Sequence, residues 1–449
     1  MTTGWILALI PMLLLLVVSI IVRSHCKSWI HPGAYFPLVV MLYFLLPLIL
    51  APDFYFPPGA MWWILASMMA FLSGSMILTY KHDSKSIKNN CTGLLSIDID
   101  SDQVKDKVFG IHRFPSMKLV LIFSIALGLL YSILIVTLFG RSIGSFLSLE
   151  GLSDLGSELS VQRYSGGFLP SATVQVLLTF VYASPILGGM LMAVRENRKQ
   201  LALSLLSFLP SLITFLAQTT RAAVLFAFIL FLSGYFASQV FLGRSSNYRL
   251  FSRKRIPVYL AIILILLFAF AFGDINRVGK VPTISELNSA LRSPRTDSYL
   301  FGHASAFSQW FQRAWSESEN PRFGAATFGG VLTILGVRER VNTKAEAIYI
   351  SSEGKTNIYS IFRRYAEDFS FAGSLLFLFI VGLIASIVYI KVGEGSLMLM
   401  PLLIAVYAFM GMQLTPIFRY SSIVAAFLVV QAYFIAIRLL QKKQPQNIS

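Results

Sequence analysis

Charge is scarce in this chain and acidic charge scarcest: of 449 residues 13% are charged, with 21 Asp and Glu against 37 Lys and Arg. So little charge excludes a chain that lives wholly in water, whether folded or disordered. Cysteine is nearly absent, and the two present, Cys26 and Cys91, imply neither a disulfide framework nor a cysteine metal site. The five histidines include no His-Glu-x-x-His pair. There is no P-loop and no Gly-x-Gly-x-x-Gly after a strand, which leaves nucleotide-driven and metal-dependent hydrolysis without support. No cofactor and no metal are expected. The matching halves with interrupted spans that point to an alternating-access transporter are not visible either.

What is abundant is apolar. Hydrophobic residues make up 56% and the mean hydropathy is +0.70, and runs near the span length of roughly 20 residues recur along the chain. We therefore expect an all-α, polytopic integral membrane protein with about eleven transmembrane helices, near 4–22, 34–50, 60–80, 117–139, 169–193, 200–217, 221–243, 256–273, 369–390, 396–413 and 416–437. The first run lacks a basic n-region and a small-residue cleavage site, so it reads as a retained span. Compact basic clusters fall on one side: Arg23 with Lys27, Arg195 with Arg198 and Lys199, Arg244 to Arg255, Lys391, and Arg438 with Lys442 and Lys443. The positive-inside rule makes that side cytoplasmic, with the N-terminus outside and the C-terminus inside. The chain then divides into residues 1–273, eight spans with a cytoplasmic loop at 81–117; residues 274–368, one large outer loop; and residues 369–449, three spans and a tail. A net charge of +16 without a nucleic-acid motif suits anionic membrane lipid and not nucleic acid.

On this topology the outer face holds thirteen arginines and only three lysines. A guanidinium binds phosphate or carboxylate through two parallel hydrogen bonds, which an ammonium cannot do, so the bias suggests an anionic ligand. For any single arginine, snorkelling beside lipid headgroups explains as much. Five of them stand where four spans enter from outside: Arg163 before the fifth, Arg221 at the seventh after Thr219 and Thr220, Arg363 and Arg364 before the ninth, and Arg419 after Thr415 and Pro416 at the eleventh. A cation at a helix N-terminus is unfavourable by up to about 1 kcal/mol, and the repetition calls for a compensating anion. Helix N-termini are themselves phosphate sites.

The stretch from Thr356 to Gly373 concentrates this chemistry. Arg363 and Glu367, and Arg364 and Asp368, are each four apart on one helical face at the water boundary of an apolar run. An ion-pair cluster that positions the span and part of a substrate site are both open readings. The preceding outer loop carries Tyr299, Phe307, Trp310, Phe311 and Trp315 at mixed helical spacing, expected as a helix on or dipping into the interface. His303, the one outer histidine, is a packing residue or an acid–base group.

The pattern Asn357, Tyr359, Phe362, then Asp368, Phe369 and Gly373 resembles the Asn-x-Tyr-x-x-Phe and Asp-Phe-Gly-x-x-Gly motifs of bacterial O-antigen polymerases, the Wzy-like repeat-unit polymerases. Thr219, Thr220, Arg221 and Ala222 are similar to that family's small-residue, arginine, small-residue turn. Ser370 stands where the family has glycine. The resemblance implies an inner-membrane polymerase in lipopolysaccharide biosynthesis with the fold of C-type membrane glycosyltransferases. Such enzymes transfer a growing glycan from one undecaprenyl pyrophosphate carrier to a sugar hydroxyl of the next lipid-linked oligosaccharide, at the periplasmic face. A chain-length regulator protein is a further implied partner. The pyrophosphate leaving group needs charge stabilisation at the outer membrane edge. Arg221 and Arg364 are the expected ligands, with Arg163, Arg363 and Arg419 behind them and Asn357 and Tyr359 on the substrate side. Asp368, Glu367 or His303 is the expected base, although Asp368 fits the cap of the ninth span better. A glycan ligase would use the same donor. A flippase should instead line mid-membrane paths with charge.

Overall fold

The computed structural model describes residues 3–91, 116–138, 140–142, 144–145, 148–165, 171–246, 264, 267–269, 271–276, 283–291, 293–315, 321–337, 346–352 and 354–443. Among them, nine helices are long and apolar enough to cross a membrane: Gly4–Cys26, Pro32–Leu50, Gly59–Ile77, Met117–Leu138, Ala172–Ala193, Arg198–Gln218, Arg221–Phe241, Ile361–Gly393 and Ser421–Leu440. The chain is an all-α, multi-span membrane protein. One small antiparallel ribbon, Ile348–Tyr349 against Lys355–Thr356, interrupts the helical pattern.

The described residues differ from the eleven expected spans at five of them. The eighth lies largely outside the described residues and shows only the short apolar helix Leu267–Asn276. The tenth is the short apolar helix Leu397–Gly411; at 1.5 Å per residue it rises about 22 Å, less than the hydrocarbon thickness of about 30 Å. Thr415 precedes Pro416, and a residue before proline is pushed out of the helical region, so the chain stays irregular there. The eleventh consequently begins at Ser421, and Pro416 caps a 3-10 turn, Ile417–Arg419, ahead of it. The sixth is two helices, Arg198–Leu206 and Leu209–Gln218, because Pro210 has no N–H for the carbonyl four residues earlier. The ninth starts eight residues early, at Ile361, and breaks at Ser370, whose φ of 63° and ψ of 173° are non-helical. An amphipathic helix, Leu149–Ser165, also lies where a loop was expected. Leu155 and Leu159 pack with Tyr131, Val174 and Ala217.

The chain forms two compact units, Met1–Arg113 with Phe236–Tyr248 and Asp297–Ser421, and Phe114–Tyr235 with Arg249–Thr296 and Ser422–Ser449. In the first, Gly59–Cys91 crosses Ile361–Gly393 at backbone contact: a Cβ on Gly74 would lie 2.0 Å from the Phe379 carbonyl oxygen, and one on Gly382 2.1 Å from that of Phe71. Only glycine permits this approach, and the Ser386 hydroxyl donates across it to the Ser75 carbonyl at 2.7 Å. This unit has a basic end, where the Ser28 hydroxyl donates to the Ser245 carbonyl and the His31 ring meets that of Tyr389, beside Lys27, Arg244 and Lys391. At its far end the Gly302–Ala314 helix is tied down by Ser305, which donates to the Tyr55 carbonyl at 2.6 Å. This helix is buried among the span ends, with Phe307 at 0% and Phe311 at 7% exposure. The second unit uses the same glycine device, Gly189 facing the Phe231 carbonyl and Gly234 that of Ile186.

Candidate functional site

The break at Ser370 divides the Ile361–Gly393 helix into a short arm, residues 361–369, and an apolar span. Ser360 caps the arm, accepting from the Phe362 N–H at 3.3 Å, and the Ile361 N–H donates to the Gln413 carbonyl at 2.8 Å. Ile361, Phe362 and Tyr365 are fully buried, with Tyr365 stacked on Phe409. That packing holds the arm against the short Met400–Gly411 helix. The arm's other face carries the charges.

Glu367 gathers three guanidiniums. Arg363 Nε donates to its Oε1 at 2.6 Å, Arg364 Nη1 to its Oε2 at 2.7 Å, and Arg322 Nη1 stands 3.8 Å from Oε2. The Glu367 side chain is 2% exposed and those of Arg363 and Arg364 are 13% exposed. Arg363 is also held between aromatic faces, its Cζ 4.1 Å from the Tyr359 centroid and 5.2 Å from that of Trp310. Tyr359 is fixed in turn by its hydroxyl, which donates to the Glu346 carbonyl at 3.0 Å. One Arg363 nitrogen, Nη1, is buried without a hydrogen-bond partner. The expected pairing of Arg364 with Asp368 does not form. The i,i+3 geometry lets Arg364 share Glu367, and Asp368 is occupied elsewhere.

Asp368 is fully buried, and its carboxylate accepts from the backbone N–H of Ala326 at 3.0 Å and of Thr327 at 2.6 Å. The Arg322 and Phe323 N–H groups donate to the Glu367 and Asp368 carbonyls. Four bonds thus lock the loop 322–327 onto the end of the arm and present Arg322 to Glu367. The expected cap role is corrected: Ser360 caps the arm, and the Ser370 hydroxyl caps the span beyond the break, accepting from Gly373 N–H at 3.3 Å. Ser370 also adopts a backbone conformation that favours glycine.

The remaining expected residues are dispersed. His303 is 2% exposed, stacks on Tyr43 at 3.8 Å, and hydrogen-bonds through Nε2 to the Tyr43 carbonyl at 3.0 Å. Burial pushes its imidazole down to about 4, against weaker opposing backbone hydrogen bonds. It is a neutral packing residue. Asn357 is exposed beside Tyr359. Arg419 ends a 3-10 turn, with its Cγ 3.9 Å from the position of a Cβ on Gly329. In the second unit Arg221 opens the Arg221–Phe241 helix as expected, but it is 7% exposed and ion-paired to Asp274. Arg163 lies in the Leu149–Ser165 helix, and its side chain is outside the described residues. Arg322 and Asp274 were missed in the sequence. Asp274 had a signal, since it is the first acid after a long apolar stretch; Arg322 had none, because its neighbour is 45 residues away. The stretch Gly140-Arg141-Ser142-Ile143-Gly144 has nucleophile-elbow spacing, but it follows a helix, and Arg141 is bound to Glu158 at 3.0 Å.

No protein-family model, no curated protein and no solved structure matches this chain.

Proposed function

We propose that the chain is a membrane glycosyltransferase that polymerises undecaprenyl-pyrophosphate-linked oligosaccharide repeat units into a surface polysaccharide, the O-antigen, at the periplasmic face of the bacterial inner membrane. The observation that carries this reading is the convergence of Arg322, Arg363 and Arg364 on one carboxylate, at the entrance of a broken span and at the end of its unit opposite the basic cluster. Guanidiniums already ordered by Glu367 and by two aromatic rings meet a diphosphate without first losing their rotamer freedom. The short Leu397–Gly411 helix leaves irregular chain below the membrane surface beside the arm, where the head of a lipid-anchored donor would arrive. The anomeric carbon of the growing glycan breaks its bond to the lipid pyrophosphate oxygen and bonds to a sugar hydroxyl of the acceptor unit, whose proton passes to the departing diphosphate; Arg363 and Arg364 stabilise the charge of that diphosphate.

In this reading Glu367 is a positioning residue and not the base, since both its oxygens are engaged by arginine. Arg221, answered by Asp274, holds the start of its helix. Deletion of the gene followed by electrophoresis of the surface polysaccharide tests the proposal. Single-repeat product supports it, whereas unsubstituted core with lipid-linked polymer accumulating would replace it with a ligase, and loss of periplasmic repeat units with a flippase.

A further inference from the structure

The stretch Phe323–Val337 carries no charge, between Arg322 and the next charged residue in sequence, Arg338. Fifteen residues are too few for a helical span of roughly 20. The structure folds them as a turn, the helix Gly329–Ile334 and a second turn. Four of their large apolar side chains point outward: Phe323 is 85% exposed, Leu335 67%, Val337 70% and Ile334 43%. Phe323 does so at a φ of 48°, an outlier for a bulky residue.

Most of the backbone N–H groups of the same stretch are paired within the protein. The N–H groups of Arg322, Phe323, Ala326 and Thr327 go to Glu367 and Asp368. Those of Phe328, Leu332, Leu335, Gly336 and Val337 close turns within the stretch, and the Thr333 hydroxyl donates to the Gly329 carbonyl at 2.8 Å. Apolar side chains turned out over a backbone whose N–H groups are mostly paired within the protein is an arrangement that hydrocarbon favours and water does not require. The position agrees. Phe328 meets Phe377 edge-on at 6.1 Å, seven residues past the break at Ser370, or about 10 Å along the span. Beside Phe377, Leu376 and Ile380 are 60% and 44% exposed, which makes the exposed face of the stretch continuous with the lipid-facing side of that helix.

We propose that Phe323–Val337 is a re-entrant segment seated in the bilayer, with Phe323, Ile334, Leu335 and Val337 against the acyl chains of the leaflet at the unit's far end. Asp368 is then the group that makes insertion possible, because it accepts two N–H groups that would otherwise face hydrocarbon. Arg322 sits where the segment leaves the leaflet, at the level of the headgroup phosphates.

The test uses the full chain carrying Cys26→Ser and Cys91→Ser, reconstituted in phosphatidylethanolamine–phosphatidylglycerol liposomes. Nitroxide labels are placed on Leu335→Cys and Val337→Cys, with Leu376→Cys as the lipid-facing reference and Asn357→Cys as the aqueous one. The expected result is oxygen accessibility several-fold above that of a water-soluble nickel chelate at both positions, as at Leu376. Chelate accessibility matching Asn357 would overturn the proposal in favour of a water-facing loop. Protection from both reagents would overturn it in favour of a protein partner. Should labelling prevent folding, Leu335→Trp replaces it: quenching of its fluorescence by lipids brominated on the acyl chain supports insertion, and absence of quenching overturns it.

Discussion

Asp368 holds Thr327 by its backbone: the Thr327 N–H donates to Oδ2 at 2.6 Å, while Oδ1 takes the N–H of Ala326. An acid that the sequence offers as a helix cap or a catalytic base is instead the staple between the arm and the loop that supplies Arg322. Its charge is spent on two fixed dipoles inside the protein, where they are worth more than in water.

Asp368→Asn keeps one acceptor and turns an N–H₂ donor toward the other backbone N–H. We expect a loss of about 1–3 kcal/mol, read as a lower unfolding midpoint in detergent. Polymer formation should fall in parallel with the folded fraction. An unchanged midpoint with abolished polymer would make Asp368 a chemical group.

Ser370 at φ 63° and ψ 173° carries backbone strain of about 1–3 kcal/mol, partly offset by its hydroxyl accepting from Gly373 N–H. Ser370→Gly removes the strain and should raise the midpoint. Ser370→Ala loses the cap and keeps the strain, so it should lower the midpoint. Thermal unfolding must therefore rank glycine above serine above alanine.

Lysine at position 363 or 364 preserves charge and loses the fork. Arg363→Lys and Arg364→Lys should each reduce polymerisation by roughly 100-fold at equal protein level, the scale of removing one oxyanion donor. Arg141→Lys, an exposed arginine paired with Glu158, is the control. Normal polymer from both variants at the arm would remove the diphosphate from this site.

His303 titrates at 6.5 when unfolded and, through burial, at about 4 in the native protein. Between these values the unfolded chain binds the extra proton. The stabilisation is thus complete above about pH 6.5 and disappears as pH falls toward 4, with a full value on the order of 3 kcal/mol. His31, pushed down to about 4 by burial and by the charge of His25, adds a similar slope. Denaturant midpoints of His303→Gln measured from pH 7 to pH 4 should fall less steeply than those of the unaltered chain.

A reporter active only beyond the membrane should be active when fused near Ser318 and silent when fused at Ser246. The reverse pattern would invert the orientation and move the arginine cluster to the cytoplasm.

The periodic apolar runs and the one-sided basic turns made the all-α, multi-span class legible in the sequence. Both follow from the bilayer acting as solvent, which taxes every residue locally. The arm was legible as chemistry, since Arg363 and Glu367 are four apart and meet as any such helical pair does. The helix over Leu149–Ser165 buries Leu155 and Leu159, which stand four apart as one helical face requires.

The sequence by itself determined the multi-span class and which charges flank the apolar runs, because hydropathy and helical periodicity are properties of neighbours along the chain. Only the tertiary structure decided what those charges do. Arg364 answers to Glu367 and not Asp368, Asp368 serves a backbone 41 residues away, Arg221 is neutralised by Asp274, and His303 is sealed under Tyr43. The last three turn on contacts across tens or hundreds of residues, and the first follows because Asp368 is already taken by one of them; burial and competition for one partner outweigh the local spacing that first suggested the pairing.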